Sequence, residues 1–141
     1  MIRLARQNYM TKALQQQFYA NQVAKRSGLP LHVVDRYDRK GIYRPSIRKA
    51  SGSGRHHPRL YSIDDVVALS IARRLRTLGM PARRIGHVLA AVRANAKLQP
   101  RYLLTDGKTV FFRDDSGAVV DLLREHQAAF ALFLEPLYPK R

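Results

Sequence analysis

The chain contains no cysteine and no tryptophan, and it has only 10 Asp and Glu against 26 Lys and Arg in 141 residues. The absence of cysteine excludes disulfides, thiolate metal sites and a cysteine nucleophile. No apolar run approaches the roughly 18 residues that a transmembrane helix needs. Residues 1–11 are too polar for the core of a signal peptide. We therefore expect a cytoplasmic protein with no membrane partner.

Patterns that carry catalysis or metal binding are also missing. No glycine-rich phosphate loop occurs, and no spacing places serine, histidine and aspartate as a triad. The acidic turn at residues 114–117 lacks the following ligands of a calcium loop. The adjacent His56 and His57 would point to opposite sides of a strand, away from a common metal ion. We therefore expect neither an enzyme nor a bound metal or cofactor.

The positive charge is concentrated in the first two thirds of the chain. Residues 1–97 contain 20 Lys and Arg and 4 Asp, whereas residues 98–141 contain six charges of each sign. Such an excess favours a polyanionic partner, with nucleic acid ahead of an acidic membrane surface. A solvated basic surface without a partner is the alternative. Residues 98–141, the neutral tail, are expected to bind protein instead.

Two short helices separated by a tight turn are predicted in the basic part. The first is expected at residues 21–27, with Asn21 as its N-cap and Gly28 as its C-terminal breaker. The second is expected at residues 31–40, where apolar residues recur on one face, and Gly41 ends it. Two short helices across a glycine-containing turn are typical of the helix-turn-helix motif.

Residues 42–61 are expected to form a wing, that is, a β-hairpin with a flexible basic tip. Ile42 with Tyr43, and Leu60 with Tyr61, look like the ends of its two strands. Glycine and serine make the tip flexible, and it contains no acidic residue. Adjacent to a recognition helix, such a hairpin suits contact with phosphates or the minor groove.

Two longer helices are predicted after the wing. Ser62 followed by Asp65 is a capping box that begins the first, and Gly79 ends it. Pro81 begins the second, in which apolar residues recur at helical spacing. Residues 95–100 are expected to be a linker.

The tail is expected to form a small ββ(β)α unit at residues 101–141. Asp106-Gly107 is a strong two-residue hairpin pattern between two apolar segments. Residues 118–120 are expected to add a third strand, and residues 122–135 a helix. We expect the apolar face of this unit to pack on the first domain or on a second copy of itself.

The expected fold is therefore mainly α with small β, in two parts. A winged helix-turn-helix domain occupies residues 18–94, and the ββ(β)α unit follows the linker. Residues 1–17 are expected to be an N-terminal arm or a short helix.

Four ordered motifs within residues 18–93 resemble the MerR-type winged-helix DNA-binding domain. They are VAKRSGL at 23–29, VDRYDRKGI at 34–42, RLYSIDDV at 59–66 and LRTLGM at 75–80. The resemblance implies a sequence-specific, double-stranded DNA-binding transcriptional regulator that acts as a homodimer on a near-palindromic site. The second helix would enter the major groove and the wing would lie on the phosphate backbone. In place of the family's long dimerisation helix, the short β-rich unit follows.

The candidate DNA-binding residues lie mainly on the second helix and the wing. Arg36 is expected to bind a guanine, because arginine can donate to O6 and N7 together. Asp35 either accepts from cytosine or, as we favour, orients Arg36 or Arg39. Tyr43 and Tyr61 either donate to phosphates or are half-buried strand residues. The full set is Arg26, His32, Asp35, Arg36, Arg39, Lys40, Tyr43, Arg44, Arg48, Lys49, Arg55, His57, Arg59 and Tyr61.

The tail also resembles the C-terminal pieces of DNA-binding antitoxins. The alternative function is accordingly an antitoxin that autoregulates its operon and neutralises a toxin protein through the C-terminal unit. A lower-ranked third class is architectural DNA binding. The candidates for a dimer or partner surface, which are otherwise core residues, are Phe111, Phe112, Phe130 and Phe133.

Overall fold

The computed structural model describes residues 16–47, 58–125 and 130–139. Within these ranges the chain is mainly helical, with a small three-stranded antiparallel sheet near its C-terminal end. The predicted fold class is therefore confirmed. The elements are α1 (Ala20–Ser27), α2 (Leu31–Arg39), α3 (Ile63–Thr77), α4 (Ala82–Ala94), β1 (Tyr102–Thr105), β2 (Val110–Arg113), α5 (Ser116–Arg124) and β3 (Phe130–Phe133).

The two short helices form where the sequence predicts them. The N-cap of α1 is Tyr19, two residues before the expected Asn21, and the Tyr19 N–H donates to the Gln22 side chain at 2.8 Å. α2 follows Pro30 directly. After α2 the chain turns through Gly41, whose φ is 69°, a conformation that glycine adopts without strain.

The two longer helices are also where the sequence predicts them. The Ser62 hydroxyl accepts from the Asp65 N–H at 3.2 Å, and the Asp65 carboxylate accepts from the Ser62 N–H at 2.9 Å. This capping box begins α3 as predicted. Gly79 lies just beyond the C-terminus of α3 with a φ of 93°, and Pro81 is the residue before α4. Among the described residues, no helix combines the length and apolar character needed to cross a membrane.

The base of the wing differs from the prediction. Tyr61 does not pair with the Ile42–Tyr43 segment but with Phe18, through N–H to carbonyl hydrogen bonds of 2.9 Å in both directions. The Ile47 N–H donates to the Leu60 carbonyl at 3.2 Å, so the described residues on either side of the tip meet there. The prediction of a strand at residues 42–43 is wrong, because these residues belong to the turn that follows α2. Residues 48–57, the expected tip, lie outside the described part.

The β1–β2 hairpin forms as predicted, but the elements that follow it do not. Residues 118–120, expected as a strand, belong to α5. At the start of this helix, the Asp115 carboxylate accepts a hydrogen bond from the Gly117 N–H at 2.8 Å. Residues 130–133, expected within a helix, form β3, which pairs with the free edge of β1. The strand order is β2-β1-β3. An apolar segment of this length is compatible with both a helix and a strand. Pairing with the free edge of β1 stabilises the strand here.

One hydrophobic core joins the helices to the sheet. Leu103 and Leu132 on the inner face of the sheet, and Leu134 after it, belong to the same buried cluster as the apolar residues of α1 to α4. On the outer face, Leu104 is fully buried and Val119 of α5 packs against it. The sheet therefore lies between the helical part of the chain and α5.

Candidate nucleic-acid interface

The turn between α1 and α2 is held by close contacts. Gly28 has a φ of 81°, and its N–H donates to the Ala24 carbonyl at 3.0 Å. Leu29 is buried, and its N–H donates to the Ser27 hydroxyl at 3.2 Å. The side chain of Arg73 from α3 lies across the turn, because a Cβ at Gly28 would be 2.5 Å from its Cδ. The angle between the helices is therefore set by local bonds and by α3.

α2 presents a basic face to solvent. Val33, Val34 and Tyr37 point into the core and are almost completely buried. With a period of 3.6 residues, the side chains between them must point outward. The exposed residues at and beyond the C-terminal half of α2 carry positive charge, and the two carboxylates of the helix, Asp35 and Asp38, are 39% and 14% exposed. The candidate DNA-binding residues that the structure places on this exposed surface are His32, Arg36, Arg39 and Lys40.

Arg59 joins the return arm of the wing to α2. Its guanidinium donates to Asp35, and also to Asp38 at 3.3 Å. Burial opposes the charge on Arg59, but the aspartates outweigh it and raise the pKa of the guanidinium. Asp35 thus pairs with Arg59, where we expected Arg36 or Arg39. Both acidic groups of α2 are thus paired with a single residue outside the helix, whose one positive charge offsets one of their two negative charges.

Tyr43 and Tyr61 are both buried. The Tyr43 hydroxyl donates to the carboxylate of Asp65 at 2.5 Å, and burial raises its pKa, so it stays protonated and able to donate at neutral pH. Tyr61 is completely buried, and burial raises its pKa to about 12. Of the two alternatives for these tyrosines, their burial favours a role in the core over a phosphate contact.

Asp65 is the centre of a hydrogen-bond network at the base of the wing. Its side chain is only 1% exposed, and besides capping α3 it holds the segment that leads out to the wing. A carboxylate this buried needs partners for all its lone pairs. Its further donors are the Tyr43 hydroxyl, the Ser46 N–H at 2.9 Å, the Ser46 hydroxyl at 2.7 Å and Arg93 at 3.3 Å.

Arg93 completes this network from the last turn of α4. Its guanidinium lies 4.2 Å from the centre of the Tyr43 ring, and it donates to the backbone carbonyl of Arg44 at 2.5 Å. The sequence contains no signal for this contact, because 49 residues separate Arg93 from Arg44. Asp65 was recognised only as a helix cap, since its longer-range partners are not visible in the local pattern.

Comparison with known proteins agrees with this arrangement. The family model described as the MerR HTH family of regulatory proteins matches residues 19–92, which contain α1 to α3 and nearly all of α4. The chain belongs to the MerR family. Uncharacterized HTH-type transcriptional regulators of Mycobacterium bovis and Mycobacterium tuberculosis are 33% identical to it over 108 residues. The alignment covers 75% of this chain and 47% of each relative, so the chain spans about half their length.

Two further DNA-contact candidates, Arg26 and Arg44, are exposed outside α2. Arg26 is exposed on α1, and its guanidinium lies 4.7 Å from the centre of the Phe18 ring. Arg44 is exposed at the start of the wing. The candidates that fall outside the described residues are Arg48, Lys49, Arg55 and His57.

The phenylalanines of the unit that follows the MerR-type region are divided between the two faces of its sheet. Phe112 and Phe130 lie on the inner face and pack against the shared core. Phe111 lies on the outer face with Leu104. Phe133 is 43% exposed and contacts the Tyr102 ring with centroids 5.4 Å apart. On these positions, the outer-face residues are better placed for a partner surface than the inner-face ones.

Proposed function

We propose that the chain is a sequence-specific transcriptional regulator that binds double-stranded DNA, with α2 in the major groove. The observation that carries this proposal is the exposed basic face of α2, in which both helix aspartates are paired with Arg59. A recognition helix reads bases in the major groove with its exposed side chains. Membership of the MerR HTH family supports the same function.

Within this proposal, Arg36 is the residue expected to read a base directly. Its side chain is exposed in the last turn of α2, and arginine can donate two hydrogen bonds to a guanine. Unpaired carboxylates at Asp35 and Asp38 would repel the phosphates around the groove. Their pairing with Arg59 reduces this penalty, and the exposed Arg36, Arg39 and Lys40 leave the face positive.

The wing is proposed to bind the phosphate backbone beside the groove. Arg44 is exposed at its base, and the sequence from 42 to 61 contains no acidic residue. Three further cations of this segment lie outside the described residues, namely Arg48, Lys49 and Arg55. Each neutralised phosphate releases counterions, so such a wing contributes affinity and a steep salt dependence.

Selection of bound sequences from a random DNA pool, using the purified chain, tests the proposed function. A homodimer on a near-palindromic operator is expected to enrich two inverted half-sites with a fixed spacing. Light scattering of the untagged chain, with and without that DNA, reports its oligomeric state. Recovery without any enriched sequence would contradict specific recognition. Isolation in a stable complex with a second protein would favour the antitoxin alternative.

Replacement of Arg36 tests direct base recognition. Arg36→Ala is expected to weaken specific binding by about 1–3 kcal/mol and to relax the preference at one base pair. Arg124→Ala, at the exposed end of α5, is the control for the same change in net charge. Competition binding with operators changed one base pair at a time provides the measurement. Uniform weakening on every sequence would identify Arg36 as a phosphate contact.

A further inference from the structure

We propose that Asp65 and Arg93 are positioning residues that hold the outgoing arm of the wing, residues 42–47, in the orientation needed for DNA. This inference rests on the proposed function, because it concerns how the proposed backbone contact is preorganised. Neither residue belongs to the candidate DNA-contact set, and Asp65 is too buried to touch a ligand. Their effect on DNA would therefore act through the wing.

The outgoing arm of the wing depends on these side chains for its position. Residues 42–47 contain no helix or strand, so no regular backbone ladder fixes their path. Instead, Asp65 accepts three hydrogen bonds from this segment, one from Tyr43 and two from Ser46. Because Asp65 is also the N3 residue of α3, the arm is attached directly to the first turn of a rigid helix.

Arg93 supplies both the charge and the second attachment point. Asp65 is 1% exposed, and a carboxylate buried this deeply is costly to the fold without a cationic partner. Arg93 provides that partner, covers the Tyr43 ring and donates to the carbonyl of Arg44. The first cation of the wing is thus held by its backbone, while its own side chain stays exposed.

The return arm is held separately, which makes the two attachments testable one at a time. Arg59 ties that arm to α2, whereas Asp65 and Arg93 tie the outgoing arm to α3 and α4. Loss of the second attachment would leave α2 intact but let the wing cations move away from the phosphates. The expected signature is weaker binding with a smaller salt dependence, while base preference is retained.

Asp65→Asn distinguishes a positioning role from a simple effect of charge, because the two predict opposite changes in DNA affinity. Removing a negative charge should by itself tighten DNA binding, because the net charge rises by one. Loss of the anchor should instead weaken binding by about tenfold, the factor equivalent to about 1.4 kcal/mol. The slope of log affinity against log salt should fall by up to about one unit for each phosphate that the wing no longer neutralises.

Asp64→Asn is the matched control. It makes the same chemical change at the adjacent position of the same helix turn, on an exposed side chain. We expect it to leave DNA affinity unchanged or slightly higher. Both variants are measured on the operator found by selection, with thermal unfolding followed by circular dichroism to confirm that each is folded.

Arg93 variants decide the question if Asp65→Asn does not fold. The Arg93 side chain is 43% exposed, so its replacement opens no cavity in the core, and circular dichroism confirms that each Arg93 variant is folded. Arg93→Gln should reproduce the loss of affinity and of salt dependence, and Arg101→Gln, an exposed site on the C-terminal unit, controls for charge. Arg93→Lys should stay weakened, because an ammonium group cannot serve the ring, the carbonyl and the carboxylate together.

Three outcomes would overturn the proposal. One is wild-type affinity and salt slope in folded Asp65→Asn and in Arg93→Gln. Another is a loss in Arg93→Gln that folded Asp65→Asn does not share, which would mark Arg93 as a direct phosphate contact. The third is wild-type DNA binding by Arg93→Lys. By contrast, a wild-type chain that binds no DNA would contradict the proposed function itself.

Discussion

At the residue scale, one arginine changes the electrostatics of the recognition helix. From the sequence, Arg59 was expected to contact DNA, but in the structure its guanidinium lies between Asp35 and Asp38. Its side chain is 16% exposed, so these ion pairs are partly shielded from solvent. A pair in such surroundings contributes more than a fully exposed one, and its loss leaves two carboxylates uncompensated.

Arg59→Gln is therefore expected to lower both stability and DNA affinity. The free energy of unfolding should fall by about 1–2 kcal/mol, a value between those of exposed and buried pairs. Urea unfolding and operator binding provide the measurements. Adding Asp35→Asn and Asp38→Asn should restore affinity, because the unpaired negative charges are then removed. Affinity that stays low in the triple variant would show that Arg59 itself contacts a phosphate.

At the scale of elements, the turn of the helix-turn-helix depends on a glycine for two separate reasons. Gly28 has a positive φ, and the side chain of Arg73 occupies the place where a Cβ would be. Gly79 at the end of α3 shares the first property, with a φ of 93°, but has nothing within 4 Å of its would-be Cβ. Comparing the same substitution at the two glycines therefore separates the effect of backbone strain on stability from the effect of steric contact.

Gly28→Ala is expected to destabilise the chain more than Gly79→Ala. A left-handed conformation costs alanine about 1 kcal/mol at either site, and Gly28→Ala must also displace Arg73. Urea denaturation of both variants measures the difference. Combining Gly28→Ala with Arg73→Ala should remove the excess. Equal losses in the two single variants would mean that Arg73 moves aside freely.

At the scale of the whole molecule, the neutral tail is packed on the basic part through a common core. Leu132 of β3 is 6% exposed and belongs to the same cluster as the helices, whereas the next residue, Phe133, is 43% exposed. The predicted boundary at residues 95–100 therefore separates two parts that differ in charge but share buried surface. We expect them to unfold together.

Leu132→Ala tests this cooperativity. It should destabilise the whole chain by about 2–5 kcal/mol, the usual range for a buried leucine, within a single transition. Phe133→Ala, on the opposite face of the same strand, should have a much smaller effect. Calorimetry provides the measurement for both variants. A separate low-temperature transition in Leu132→Ala would show that the C-terminal unit unfolds independently, as a second domain.

Much of the fold could be predicted because its determinants are local. The capping box at Ser62, the hairpin at Gly107 and the buried face of α2 all follow from residues within a few positions of one another. The exposed cations of α2 follow from the same periodicity. The failures are β3, the strand expected at residues 118–120, which belongs to α5, and the first strand of the wing. In each, an apolar segment has no fixed conformation until its partner is known.

The sequence by itself determined the family, the helix-turn-helix, the location of the positive charge and the residue types on the recognition helix. Only the tertiary structure decided which of those charges remain free. Arg59 and Arg93 both donate hydrogen bonds to carboxylates or carbonyls that lie more than 20 residues away along the chain. Helical periodicity and capping act over a few residues, but an ion pair depends on distance in space, which folding alone establishes.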